Sequence, residues 1–550
     1  MLKGSALARE NKPLLNIGLW GSTLLALLAI AFTLAWVSSG FQQVQGWLSF
    51  LGVLVIAAAL LFGGWRLLQA GEGTKLPGWL AGVLIGAALL RLAAGVLWYV
   101  ELPVAGHGSP QELAGYIMAD AHERDLAAWD LGHSNKSLLK AFQGSYRKAD
   151  QYGGLLFLSA AIYRILGGDT HYPLLMVVLT AAFSALALIF TWALSRRVWG
   201  ERAALFAAWG LALYPEAVLL GSSQMREAFT VTLTVAAFYG LIRYAQDHSW
   251  FSLAWILVPL LLYLPFSPPF AALLGGMLAL TAFALRDRLF QGKLLHSRRL
   301  WLVLAGLAIL ILAGLWVTLG QSAPDKISNP LALIGWWARK SGEFQAYLSK
   351  RASGMVQKVF RSTPAWTHIY FLVAYGVLRP FLPAALIISS DAPIHTWITL
   401  WRAIGWTILL VLLVYALLKA FSKENRGFIS VFSLVVWLGI LIASYRGGGD
   451  MWDNPRYRAA FAGLQVALAA WAWTAPRRAT DPLLRRAFAS MGLALIWFIP
   501  WYMRREFHTP WPVSDLFKTI GLGLASAILF LIWDWARTNG KRLRENLHEP

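Results

Sequence analysis

The sequence predicts an all-α integral membrane protein with about 14 transmembrane helices. Of its 550 residues, 58% are hydrophobic and 14% are charged, whereas about a quarter of the residues in an average soluble domain are charged. Apolar runs of about 18 residues or more recur along the chain, and each is long enough to cross a hydrocarbon core of about 30 Å. No separate soluble domain is visible between these runs.

The apolar runs give the order of the spans. They are predicted at 14–37, 46–68, 77–100, 172–196, 201–220, 225–243, 250–266, 268–286, 300–319, 399–420, 428–445, 457–474, 487–503 and 516–536. Residues 155–167 are too short to cross and are predicted to be interfacial or re-entrant. Residues 369–388 contain Arg379 and two prolines, and we predict that they do not cross. The basic loops then lie on the same side as the basic C-terminal tail, which predicts cytoplasmic termini.

Charge and motif content exclude several classes of function. The formal net charge is +21, but the basic residues are scattered over short loops, which is typical of membrane orientation rather than of nucleic-acid binding. The chain has no Cys, so disulfides and thiolate chemistry are excluded. It contains no Walker loop, no G-x-S-x-G elbow, no H-E-x-x-H and no dinucleotide fingerprint, so ATP-driven transport, serine hydrolysis and a nucleotide cofactor have no support.

The predicted topology brings several polar segments to the outer face. These are residues 101–151, 222–227, 320–366, 446–458 and 504–515. Residues 320–366 are basic, and their apolar residues recur at helical spacing, which predicts amphipathic interfacial helices. Their charge favours either a bound anion such as a lipid phosphate or general attraction to anionic lipid.

The first outer loop holds a cluster of ionisable residues between 116 and 131. Asp120, His122 and Glu123 can supply a general base or ligands for a divalent cation such as Mg²⁺ or Mn²⁺. The alternative is a solvated surface helix in which Arg124 pairs with a neighbouring carboxylate. Two further acids of the cluster, Asp125 and Asp130, are assigned to solvent.

Two later segments add an acid and several cations. Glu227 begins a span beside Arg226; the alternative to a functional role is a helix start capped by Ser222 or Ser223. Arg456 and Arg458 stand before a later span, where they suit bidentate binding of a phosphate. Their alternatives are snorkelling, or pairing with Asp450 and Asp453.

One arginine lies within a predicted span. Arg91 is given a structural role, either paired with Glu101 or Glu216 or snorkelling to the interface.

The order of these features resembles a known enzyme family. The features are Leu90-Arg91-Leu92, Ala119-Asp120-Ala121, the turn Ser195-Arg-Arg-Val-Trp-Gly-Glu-Arg-Ala-Ala204, Leu213-Tyr-Pro-Glu216, Arg226-Glu227-Ala228-Phe229 and Asn454-Pro-Arg-Tyr-Arg458. Over residues 77–475 the chain resembles the GT-C superfamily of polytopic glycosyltransferases, close to the protein O-mannosyltransferase and lipid A aminoarabinose transferase-like group. The resemblance implies a GT-C-like bundle in which residues 1–76 add two spans and residues 476–550 add further spans and a basic tail.

The resemblance also implies roles for individual residues. Asp120 matches the catalytic base or metal-associated acid of the family, and Glu227 matches its second-loop acid. Arg456 and Arg458 match the basic motif that handles the donor phosphate. The sequence departs from the family at Ala121, where a second acid is common, and at the uncharged turn 264–269, where many members carry a cation. Phosphate binding is therefore predicted to rest on other cations, namely Arg226, Lys148 or Arg379.

The implied function is transfer of a hexosyl or pentosyl group from a polyprenyl-phosphate donor at the outer face. The acceptor would be a protein, a lipid or a cell-envelope glycan. A lipid or polysaccharide transporter is the first alternative, although the charges collect on one face rather than at mid-span. A non-catalytic membrane subunit that keeps the fold is the second. An outer cavity that holds Asp120, Glu227 and Arg456 together would favour the enzyme.

Overall fold

A computed structural model describes residues 12–39, 44–289, 354–382, 392–422, 427–447, 455–475 and 482–548, with scattered residues between 305 and 336. These residues contain α-helices, one short 3-10 helix and no strand, so the predicted all-α class is confirmed. Asp450, Asp453 and the greater parts of the basic segment 320–366 and of the predicted span 300–319 lie outside the described residues.

The helices are numbered here in chain order. The N-terminal half contains α1 Lys12–Ser39, α2 Val44–Glu72, α3 Gly78–Ala105, α4 Pro110–Leu113, α5 Ala119–His133, α6 Tyr146–Ala149, α7 Gly154–Leu166, α8 Leu174–Trp199, α9 Glu201–Leu213, α10 Pro215–Gly221, α11 Glu227–Asp247, α12 Trp250–Tyr263, α13 Pro268–Ala284 and α14 Arg286–Leu289. The remainder contains α15 Gly354–Ser362, α16 Thr367–Leu378, α17 Pro393–Ala420, α18 Phe428–Arg446, α19 Arg456–Ala459, α20 Ala462–Thr474, α21 Pro482–Ile496, α22 Phe498–Phe507 and α23 Leu516–His548.

The length and apolar composition of its helices identify this chain as a multi-pass membrane protein. Nine spans in the described residues are long and apolar enough to cross a membrane, or ten if the bent pair α9–α10 is one span. The predicted number of 14 is not confirmed, because α12, α13 and α20 are shorter than 18 residues and most of the predicted span 300–319 lies outside the described residues. The segment 155–167, predicted to be too short to cross, forms the 13-residue helix α7.

Helices α8 and α11 form the centre of the bundle. Their most apolar 18-residue windows are 94% and 100% buried, as expected for helices that are apolar on every side. Helix α8 also packs against α2, α3 and α9. The N-terminal spans α1 and α2 expose more of their surface, which leaves an apolar exterior suited to lipid.

The predicted span 201–220 is broken by a proline. Helices α9 and α10 meet at an angle of 52° before Pro215, whose missing N–H cannot donate to the carbonyl of Leu211. The buried Arg91 side chain replaces that donor, with its Nη2 3.3 Å from the Leu211 oxygen. It also donates to the hydroxyl of Ser184 at 3.1 Å. Arg91 therefore has the structural role that was predicted, and it fulfils this role by donating hydrogen bonds to backbone carbonyls.

Glu216 pairs with a different arginine from the one predicted. Its two carboxylate oxygens accept hydrogen bonds from Arg402 of α17 at 2.8 and 2.9 Å. The prediction that Arg91 pairs with Glu216 is wrong, because the guanidinium of Arg91 is used at the helix break. The Arg402–Glu216 pair instead joins α10 to α17 in the interior.

The segment predicted as the first outer loop, residues 101–151, is a packed layer. Helix α5 lies against α7, and Asp125 of α5 is buried between them. The Asp125 carboxylate accepts hydrogen bonds from the hydroxyls of Tyr116 and Tyr163 and lies 2.8 Å from His171 Nε2. The assignment of Asp125 to solvent is therefore wrong. Asp130 is exposed, as predicted.

Candidate functional site

A polar cavity of about 240 Å³ lies where the predicted first outer loop, residues 101–151, meets the starts of α11 and α19. Six basic and four acidic residues line it. They are Arg124, Arg147, Lys148, Arg226, Arg446 and Arg456, and Asp120, Glu123, Asp150 and Glu227. Because cations outnumber carboxylates in its lining, the cavity is suited to binding an anionic group.

Asp120 and Arg456 meet in this cavity although they are 336 residues apart in sequence. Arg456 Nη2 donates to the Asp120 carboxylate at 2.7 Å. The Arg456 side chain is 7% exposed and that of Asp120 is 47% exposed. The arginine is thus held by the protein, while the carboxylate remains accessible to a ligand.

Neighbouring arginines lower the pKa of Asp120. Burial raises the pKa of the Asp120 carboxyl, but the charge and hydrogen bond of Arg456, together with the charges of Arg124 and Arg226, outweigh burial and lower the pKa below its ordinary value. Asp120 is therefore ionised at neutral pH. A carboxylate with a lowered pKa is a weak proton acceptor and suits hydrogen bonding to an acceptor hydroxyl or amine.

Arg226 and Glu227 bring polar atoms to the same cavity. Within the described residues, the buried Nη1 of Arg226 and Oε2 of Glu227 have no hydrogen-bond partner. Unsatisfied buried polar atoms are costly, so they indicate a ligand or water. Burial lowers the pKa of Arg226, but the charges of Asp150 and Glu227 outweigh burial and raise it, so the guanidinium stays charged.

The predicted serine cap of α11 is wrong. Helix α11 begins at Glu227 with Arg226 before it and no side-chain cap. The hydroxyls of Ser222 and Ser223 donate instead to the carbonyl of Leu219 at 2.8 and 2.6 Å. Glu227 therefore lies in the first turn of a helix whose N–H groups are not capped by those serines.

Asp150 was not predicted from the sequence. It is buried, and its carboxylate accepts the backbone N–H of Leu156 at 3.1 Å. The backbone at Gly154 lies so close to Pro265 that a Cβ would be 2.2 Å from the proline carbonyl oxygen, so this turn requires glycine. The turn places Asp150 3.8 Å from the Nε of Arg124.

Arg124 has a larger role than local pairing along its own helix. It is buried, and its Nη1 donates to the carbonyl of Gln224 at 3.0 Å. Gln224 has a positive φ of 51°, which is uncommon for a residue other than glycine. Arg124 therefore joins the first outer loop to the turn that leads into Glu227.

Two tyrosines line the basic wall of the cavity. The guanidinium of Arg226 lies 5.1 Å from the ring centre of Tyr152. Those of Arg446 and Arg456 lie 5.4 and 5.1 Å from that of Tyr457. Cation–π contacts at these distances help to hold the guanidinium groups in place.

The predicted site residues separate into two groups. Asp120, Glu123, Lys148, Arg226, Glu227 and Arg456 all line the cavity, with Lys148 and Glu123 exposed. Arg379 and Arg458 do not line it. Arg458 contacts other parts of the fold. Its guanidinium donates to the carbonyls of Gly376 and Arg379 and lies 3.6 Å from the ring centre of Trp406.

The predicted metal ligands do not converge. The His122 ring packs 5.0 Å from the ring of Tyr116 and does not line the cavity. Among the described residues, Asp120, His122 and Glu123 do not form a set of three ligand atoms within 4.8 Å, although His107, Glu112 and His395 do. The set that includes His122 does not fit a single ion, and no reaction step is assigned to one here.

The architecture and cavity define a multi-pass α-helical membrane protein with a cationic pocket that contains an accessible carboxylate. No protein-family model matches the chain, and the search of curated proteins finds no match. Solved structures of an oligosaccharyltransferase are similar to it. One is the archaeal oligosaccharyltransferase AglB from Archaeoglobus fulgidus in complex with an inhibitory peptide and a dolichol-phosphate, with a TM-score of 0.39 and 15% identity.

A second similar structure is the apo form of the Archaeoglobus fulgidus oligosaccharyltransferase, with a TM-score of 0.37 and 14% identity. In both cases the alignment covers 82% of this chain and 56% of the other, so the chain matches little more than half the length of these proteins. At this level of similarity, function has to be inferred from the residues of the chain itself.

Proposed function

We propose that the protein is a membrane glycosyltransferase that moves a sugar from a polyprenyl-phosphate donor to an acceptor hydroxyl or amine. The reaction would take place at the outer membrane face, with both chain termini cytoplasmic. The GT-C resemblance of the sequence motifs supports the class of reaction. The composition of the cavity supports the donor, because a sugar phosphate presents an anion to bind and an anomeric carbon to attack.

The observation that carries the proposal is the contact between Asp120 and Arg456. It places a carboxylate that can orient a nucleophile 2.7 Å from a guanidinium that can bind a phosphate. A displacement at the anomeric carbon needs a group that orients the nucleophile and a group that binds the leaving phosphate, and the lining of the cavity holds both. Arg226, with its buried Nη1, adds a second donor to the basic side.

The proposed step is a single displacement with inversion. The acceptor oxygen or nitrogen forms a bond to the anomeric carbon as the bond from that carbon to the phosphate oxygen breaks. The polyprenyl phosphate leaves with the bonding electrons, and its growing negative charge is stabilised by Arg456 and Arg226. Asp120 orients the acceptor through a hydrogen bond and receives its proton as the new bond to carbon makes that proton strongly acidic. The proton then passes to water. A divalent cation at Asp120 and Glu123 remains a prediction.

The test is a transfer assay in proteoliposomes with a radiolabelled polyprenyl-phosphate sugar. The substitution Asp120→Asn keeps the shape of the side chain but removes its charge. We expect transfer to fall by about 10²-fold or more, the usual range for loss of a group that handles the acceptor proton, at an unchanged protein level.

The matched control is Asp130→Asn, ten residues further along the same helix. Asp130 accepts a hydrogen bond from Tyr146 and does not line the cavity, so transfer should be retained. Equal transfer by wild type and Asp120→Asn would refute the role of Asp120. Movement of intact labelled lipid across the bilayer without sugar transfer would instead favour the transporter.

A further inference from the structure

A second cluster of polar side chains lies outside the cavity, at the junction of the first outer loop and α17. It consists of His107, Glu112 and His395, and none of the three lines the cavity. Their ligand atoms all lie within 4.8 Å of one another. Glu112 and His395 are 283 residues apart in sequence, so the fold, rather than a local turn, brings them together.

The two imidazoles approach the same carboxylate oxygen. His395 Nε2 lies 2.6 Å from Glu112 Oε1, and His107 Nδ1 lies 3.3 Å from it. The other oxygen, Oε2, accepts the backbone N–H groups of His107 at 2.8 Å and Ser109 at 3.2 Å. The carboxylate is therefore held in a fixed orientation, as is usual for carboxylates that bind metals.

We propose that His107, Glu112 and His395 bind a zinc-class transition-metal ion. Two imidazole nitrogens and one carboxylate oxygen are a ligand set that Zn²⁺ takes in proteins, with bonds of about 2.0–2.2 Å. Ligand atoms around a tetrahedral ion of that size lie about 3.3 Å apart, so small side-chain rotations are enough. Hard cations such as Mg²⁺ prefer oxygen ligands alone and are disfavoured here.

Exposure gives the ion a route to the site and a fourth ligand. The His107 side chain is 45% exposed, whereas those of Glu112 and His395 are 6% and 11% exposed. The open side can admit the ion and then hold a water molecule. A bound ion would tie the loop that enters α5, and thus Asp120, to the start of α17.

The test is zinc binding by the full-length protein in detergent, purified without a polyhistidine tag and stripped with a chelator. Equilibrium dialysis against ZnCl₂ should give one ion per chain, and excess MgCl₂ should not displace it. His107→Ala should weaken binding by more than about tenfold, because it removes a direct ligand. Glu112→Gln should do the same.

Two control variants locate the ion. His508→Asn removes an exposed histidine at a φ of 55°, which asparagine also tolerates, and should leave zinc binding unchanged. Asp120→Asn should also leave it unchanged. The proposal is overturned if wild type binds no zinc, if folded His107→Ala and Glu112→Gln bind it as wild type does, or if Asp120→Asn removes it. The polar trio would then be a hydrogen-bonded contact only.

Discussion

Two arginine–carboxylate pairs in this protein have similar distances and opposite surroundings. Arg402 donates two hydrogen bonds to Glu216, and the two side chains are 2% and 3% exposed. Arg456 donates to one oxygen of Asp120, whose side chain is 47% exposed. The interior pair occupies both carboxylate oxygens, whereas the cavity pair leaves one side of the carboxylate open.

The difference separates a structural contact from a candidate catalytic one. A buried pair whose oxygens are both used has no capacity left for a ligand, and its removal leaves an uncompensated charge. A half-exposed pair contributes little to stability but keeps a charged group accessible. Substitution of the interior pair should therefore mainly lower stability, and substitution of the cavity pair should mainly lower activity.

The largest effect on stability is expected at the interior pair. Glu216→Gln should lower the free energy of unfolding by about 3–5 kcal/mol, because Arg402 is left charged and buried without its counter-ion. Thermal unfolding in detergent would measure the change. The double variant Glu216→Gln with Arg402→Met should recover part of it. A double variant less stable than Glu216→Gln would contradict this account.

A smaller loss of stability is expected at Asp125. Burial and the charge of Asp125 raise the pKa of Tyr116 and of Tyr163, so both hydroxyls remain protonated donors. Asp125→Asn turns one acceptor atom into a donor and should cost about 1–3 kcal/mol in the same unfolding measurement. Asp130 is exposed, so Asp130→Asn should change stability by less than about 0.5 kcal/mol. Equal losses of stability in Asp125→Asn and Asp130→Asn would contradict the burial of Asp125.

A smaller loss of stability than at Asp125, about 1 kcal/mol or less, is expected for Arg456→Gln. Its effect on activity should be larger. Loss of a charged hydrogen bond worth about 1.5–3 kcal/mol should weaken donor binding by about ten- to a hundredfold. The KM for the polyprenyl-phosphate sugar would report this loss.

The pH dependence of Arg456→Gln gives an independent readout. Asp120 is active as the carboxylate, so activity is present above its pKa and is lost as the pH falls through it. Since Arg456 lowers this pKa, the acidic limb of the pH–rate profile should move to higher pH in Arg456→Gln. Arg458→Lys, whose residue lies outside the cavity, should leave the limb in place. An unmoved limb in Arg456→Gln would contradict the coupling.

Much of the helical architecture could be predicted from hydropathy. The predicted span 428–445 corresponds to α18 Phe428–Arg446, and 172–196 corresponds to α8 Leu174–Trp199, because length and apolarity alone set these elements. The number of crossings was harder to predict. Hydropathy does not register the break at Pro215, which divides the predicted span 201–220 into α9 and α10.

The site was predictable where topology alone brings residues together. Asp120 and Arg456 were both assigned to outer loops, and the structure joins them. Asp150 was missed because its position depends on the close approach of Gly154 to Pro265, a contact with no local sequence signal. Arg458 has the same charge and almost the same position in sequence as Arg456. Only the packing of Trp406 and the carbonyls of residues 376 and 379 separates their roles.

The guanidinium of Arg91 has a consequence for biogenesis. Arg91 lies near the middle of α3, where a charge in an isolated helix costs about 2.5–3.5 kcal/mol on insertion scales. Within α3 it donates to the carbonyl of Ala87 at 2.9 Å. Its partners on other helices are Ser184 and the carbonyls of residues 211 and 212, and ribosomes synthesise all of those later. Helix α3 therefore enters the bilayer with an unmet charge, and its docking against α8 and α9 must await their synthesis. Truncated chains that end before α9 should be preferred substrates for membrane quality control.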